Sequence, residues 1–164
     1  MARAGDKNDT NAATPMDPSY FEVRFRTTER QWPEAFFLIT AAATTGEVWP
    51  AAREHAAAAR LEAELRSKGV WMAPITGYSV RTGHAEVGWA VELPELALRW
   101  VHMQEACALG RNYLQDAIYI VVRDELWVLH CAQSHDTRAA TSHAQAVPPG
   151  AQRVGAFRER IDPH

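Results

Sequence analysis

Two helix-like stretches divide this chain, and each has a pair of strand-like segments before it and after it. That order constrains the fold more than any other feature. In the first stretch, Pro50 suits the opening position of a helix. The Ala-rich run to Lys68 has high helix propensity, Ala58, Leu61 and Leu65 mark a buried stripe, and Gly69 ends it. Pro94 opens the second stretch, where Leu96, Trp100, Met103, Cys107 and Leu114 recur at helical spacing.

The strand-like segments differ in character. Tyr20 to Arg26 alternates, with Phe21, Val23 and Phe25 opposed to Glu22, Arg24 and Arg26, as in a half-buried strand. Phe36 to Ile39 is a short apolar run that reads as a central strand buried on both faces. Trp71 to Val80 contains Pro74, which cannot donate to a ladder, so an edge or bulged strand is expected. Glu86 to Leu93 alternates again, with Val87, Trp89, Val91 and Leu93 on one face. Ala117 to Val122 and Leu126 to Cys131 read as a hairpin around Arg123-Asp124-Glu125.

The element order is therefore β-β-α-β-β-α-β-β. It predicts an α+β fold with a ferredoxin-like β-α-β-β-α-β core, an extra N-terminal strand and an extra C-terminal strand. Both helices are expected on one face of a mostly antiparallel sheet. Residues 1–18 read as a disordered leader, 19–131 as a single domain, and 132–164 as a mostly disordered tail in which Val154 and Phe157 dock a short helix.

Composition excludes several classes. Apolar residues at 47% suffice for a packed core. A formal charge of −3 leaves no footprint for nonspecific nucleic-acid binding, so no nucleic-acid partner is expected. No run approaches the roughly 18 apolar residues of a membrane span, and the polar N-terminus lacks a signal-peptide core. Two cysteines, Cys107 and Cys131, are too few for a disulfide framework and read as buried free thiols. A cytoplasmic protein follows.

No phosphate-binding glycine loop, zinc-protease helix, paired-cysteine motif or serine elbow is present. Single polar residues remain. Glu86 points away from the Val87–Trp89 face, toward Gly88 and Ala90, which leave space beside its carboxylate. It is a candidate general base or ligand-binding acid. His84 shares its face at a spacing that suits an acid–base pair. Arg53 and His55 lie in the first turns of the first helix, where the free N–H groups favour an anion. Asn112 and Gln115 follow the second helix and can present amides to a ligand. No metal and no cofactor is expected. Trp32 and Trp49, each followed by proline, read as loop anchors for a partner.

These motifs together resemble the bacterial family of domain of unknown function 3293 (DUF3293). The resemblance rests on Phe37-Leu38-Ile39-Thr40-Ala41, Leu61 to Gly69, Pro74-Ile75-Thr76-Gly77, Glu86 before Val87-Gly88-Trp89, and Leu109 to Ile118. Members show Thr-Ala-x-Asn-Pro after the central strand, where this chain has Thr40-Ala41-Ala42-Ala43-Thr44. An asparagine early in the first helix is replaced near His55. The resemblance implies a small cytoplasmic bacterial protein and no established reaction. It adds Thr40 to Glu86 and Gln115 as positions to test.

The expected function is a small noncatalytic ligand-binding or protein-interaction module, with a small molecule or a protein as partner. A homodimer would cover an open sheet face. The alternative is a small hydrolase or transferase using Glu86 with His84 or His55 as acid and base.

Overall fold

The computed structural model describes residues 15–42, 48–94, 99–131 and 150–163. A short 3-10 turn over Pro18–Phe21 leads into β1 (Val23–Arg26) and β2 (Ala35–Thr40). Then come α1 (Ala51–Ser67), β3 (Met72–Ser79), β4 (Ala85–Glu92), α2 (Arg99–Asn112), β5 (Ala117–Val122), β6 (Glu125–His130) and β7 (Gln152–Ala156). A second 3-10 turn follows over Arg158–Arg160.

All seven strands join one antiparallel sheet in the order β1-β3-β4-β2-β5-β6-β7. Among the described residues the architecture is α+β with two helices, as expected. The strand count and full order differ from a ferredoxin-like core with one strand added at each end, because β7 adds a strand beyond β6. Val154 therefore lies in a strand, and Phe157 stands ahead of a 3-10 turn. Residues 1–14 and 132–149, on which the leader and most of the tail expectation fall, lie outside the described residues.

The two faces of the sheet bury different sets. Leu61 and Leu65 of α1, Met103 and Cys107 of α2, and Tyr113 just after α2 pack on Phe37, Ile39, Trp89, Val91, Ile118 and Ile120. Both helices thus cover one face. The stripe of α1 is Ala57, Leu61 and Leu65, with Ala58 half-buried beside it, and Gly69 leaves the helix at φ +68°. Leu96, expected in α2, lies outside the described residues. Cys107 and Cys131 are free and buried. The hydrogen bond to Cys107 and then burial push the Cys131 thiol well above its ordinary pKa.

The second face was expected to be open. Instead the sheet curls around it and encloses Phe25, Phe36, Leu38, Val121, Leu126 and Phe157. Strand twist accumulates across a sheet, and strongly twisted sheets curl onto their apolar side. This removes the flat face that a dimer would have covered. Trp32 stacks on Phe36 at 5.1 Å and meets Phe157 edge-on at 5.0 Å. Trp49 packs against the helix-side core. Both expected loop anchors are therefore packing residues, because their rings find apolar partners within the chain.

Pro74 is not on an edge strand, since β3 lies between β1 and β4. The β1 ladder stops at Thr76. The Pro74 carbonyl, on the β1 side, accepts from the Thr27 hydroxyl at 3.0 Å. Its missing N–H falls where β1 has already ended, so no ladder bond is lost.

Candidate functional site

The interior of the curled sheet is filled unevenly. One end holds Trp32, Phe36, Trp71 and Phe157. At the other end the inward positions are small: Gly77 on β3, Gly88 on β4 and Ala117 on β5. A cleft of about 420 Å³ remains there. Its floor is apolar, from Phe25, Leu38, Ile75 and Tyr119, and the N-terminal 3-10 turn with Asp17 and Tyr20 forms part of its wall.

Three polar side chains meet in this cleft. Thr40 is the last residue of β2 and pairs with Gly88 across the ladder. Glu86 lies two residues before Gly88 on the same face of β4. Gln115 comes from the turn between α2 and β5, where Leu114 adopts φ 56°. A non-glycine residue in that left-handed region costs on the order of 1 kcal/mol. It lets the Gln115 N–H return to the Gly110 carbonyl at 2.9 Å. The Thr40 hydroxyl stands 3.1 Å from Glu86 Oε2 and 2.9 Å from Gln115 Oε1. Gln115 Nε2 donates to the Ala42 carbonyl, which fixes the amide with its oxygen toward Thr40. Gln115 is 6% exposed, so this pairing lies inside the protein.

His84 joins the group from the rim, with Nε2 3.1 Å from Glu86 Oε1. The order of contacts is Thr40, Glu86, His84. A hydroxyl nucleophile activated by histidine needs the imidazole between the hydroxyl and the acid. Here the carboxylate holds the middle position.

Gly88 is required by the close approach of β2. A Cβ there would collide with the Ile39 carbonyl oxygen and stand 2.8 Å from Thr40 Cγ2. Tyr119 donates its hydroxyl to the Tyr20 carbonyl at 2.8 Å. Burial first, then the nearby Tyr20 and Glu86, push its pKa upward, so it stays a neutral donor. Asp17 accepts from the Ser19 N–H at 2.8 Å, which holds its carboxyl below the ordinary value.

Four of the sequence candidates therefore converge: Thr40, His84, Glu86 and Gln115. The other three do not. Arg53 and His55 are exposed on α1, which covers the opposite face of the sheet, and the Arg53 guanidinium lies over the Trp49 ring at 4.1 Å. Asn112 is exposed at the end of α2 and does not line the cleft. Sequence reasoning missed Gly77, Tyr119, Asp17 and Tyr20. The alternation of β5 put Tyr119 opposite Ile118 and Ile120, a usable signal. Nothing local pointed to Asp17, whose place in the cleft wall comes from tertiary packing. Among the described residues, no group of three or more His, Cys, Asp or Glu side chains is placed to hold a metal ion. No described helix is long and apolar enough to cross a membrane.

Among the described residues, fold and cleft together define an α+β protein with two helices on a curled seven-stranded antiparallel sheet and a polar-ended cleft inside the curl. The model of one family, described as protein of unknown function (DUF3293), matches residues 39–118, and over that span the chain is similar to the family. The matched span takes in Thr40, Glu86 and Gln115. No curated protein and no solved structure matches the chain.

Proposed function

We propose that this protein is a small-molecule-binding module whose ligand enters the cleft and is held by Glu86, with Thr40 and Gln115 positioning its carboxylate. The observation that carries this reading is the convergence of three polar side chains from β2, β4 and the α2–β5 turn at one end of a cleft with an apolar floor. A volume of about 420 Å³ suits a small organic molecule. Apolar walls with a few placed polar groups are the usual composition of such sites. The two buried free thiols support a cytoplasmic setting, where a reducing compartment preserves them.

The test is thermal unfolding against a panel of amino acids, amines, nucleotides, sugar phosphates and organic acids. A ligand at about 100 times its Kd adds roughly 2.7 kcal/mol of apparent stability. The expected result is a stabilising compound whose effect is lost in Glu86→Gln while the unliganded melting temperature stays close to wild type. A panel without any stabilising compound overturns the reading.

An acid–base reaction is the second reading, favoured by the 3.1 Å contact between His84 and Glu86. It retains His84 and drops His55, which lies on the helix side. Turnover of a stabilising compound, abolished in both Glu86→Gln and His84→Gln, would establish it.

A further inference from the structure

Resting on the ligand-binding reading, we propose that the cleft takes a protonated amine carrying an apolar body, with the ammonium seated on Glu86. The first argument is a count of protons. The Thr40 hydroxyl has one, and it faces two acceptors, Glu86 Oε2 at 3.1 Å and Gln115 Oε1 at 2.9 Å. Gln115 cannot turn its amide to donate instead, because its Nε2 is bound to the Ala42 carbonyl. That proton serves one acceptor at a time, so the other takes its donor from solvent or from a ligand. An ammonium brings three donors and no acceptor, which complements this group.

The second argument is charge. The acidic residues Asp17 and Glu86 line the cleft, with His84 at its rim and no lysine or arginine among its described lining residues. The guanidinium that acts on Asp17, that of Arg81, is engaged with Glu22 at 2.9 Å. A phosphate or carboxylate ligand would meet like charge here. The Glu86 side chain is 21% exposed, so its charge is less screened than one on the open surface.

The third argument is space. Gly77 lies directly opposite Glu86 in the β3–β4 register and adds no side chain of its own there, so the nearest neighbours of its position are the Phe25 ring at 3.6 Å and Val23 at 3.8 Å. Phe25, Ile75 and Tyr119 provide the adjoining apolar wall. An ammonium at Glu86 with a hydrocarbon or aromatic body toward that wall fits both ends of the cleft.

The experiment uses three probes of nearly the same shape: phenethylamine, 2-phenylethanol and 3-phenylpropionate. Binding at pH 7 is followed by two-dimensional amide NMR of the full chain. The expected result is shifts at Thr40, Glu86 and Gly88, with phenethylamine bound about tenfold more tightly than the alcohol, as a charge-assisted hydrogen bond predicts. The carboxylate should be weaker still. Glu86→Gln should erase the preference for the amine over the alcohol. Gly77→Leu keeps every charge and fills the space opposite Glu86, so it should weaken amine and alcohol alike. Tighter binding of the carboxylate, or an amine preference that survives Glu86→Gln, overturns the inference and leaves cleft binding intact. The same holds if the broader panel stabilises the protein while phenethylamine does not bind. A silent panel together with three silent probes defeats both.

Discussion

At the scale of single residues, the site depends on a backbone contact as much as on polar groups. Gly88 brings β2 and β4 so close that an added Cβ would strike the Ile39 carbonyl. Gly88→Ala should cost about 3 kcal/mol through overpacking against backbone that cannot yield. Urea denaturation measures it directly. Asp162 offers a pH test. The Tyr78 hydroxyl and the Arg24 guanidinium, 2.7 Å away, hold its carboxyl below the usual aspartate value. A depressed folded pKa stabilises the fold above the unfolded value, about 3.9, and that stability is lost as pH falls through the folded pKa. Asp162→Asn should therefore be less stable than wild type at neutral pH. Denaturation at a series of pH values should show the gap closing only below about pH 4.

At the scale of elements, the C-terminal 3-10 turn closes the curl. Arg160 donates to the Phe21 carbonyl at 2.6 Å and the Val23 carbonyl at 3.3 Å, both beside β1 or within it. It also donates to Val154 of β7 at 3.1 Å. One guanidinium thus links the two ends of the sheet. Ile161 bridges Phe25, and the Asp162 N–H reaches the Phe25 carbonyl at 2.9 Å. Arg160→Ala should speed amide exchange in β1 and β7 and leave β2 and β4 protected, since only the edge strands lose their tie. Uniform acceleration across the sheet would mean that the closure is cooperative with the core. The helices were legible without this context. An Ala-rich run with a Leu61–Leu65 stripe and a terminal glycine has few other solutions, and α1 forms within one residue of its expected start. Pro74 was misleading because its effect depends on where a non-adjacent strand ends.

At the scale of the whole molecule, the last described residues are part of the core. Phe157 is 1% exposed and meets Phe25, Trp32 and Phe36 at ring separations of 5.6, 5.0 and 5.1 Å. A chain ending at Cys131 loses this ring and β7 together. Removing a buried phenylalanine alone costs about 3–5 kcal/mol. The truncated chain should show a much lower urea midpoint and a weakened near-ultraviolet circular dichroism signal. A truncated chain as stable as the full one would show that the curl holds without its final strand.

What the sequence determined by itself is what local chemistry encodes. Alternation placed Glu86 on the face away from Trp89, and turn and cap residues bounded α1 and the β5–β6 hairpin. The family resemblance added Thr40 and supported Gln115. The tertiary structure alone decided that these three residues touch, that the second face is enclosed, and that Arg53 and His55 lie on its far side. The physical reason is that β1 pairs with β3, and β2 stands between β4 and β5. Such pairings depend on register and twist summed over the whole sheet. No short stretch of residues carries that sum, so the residues of the cleft were readable one at a time while the cleft itself was not.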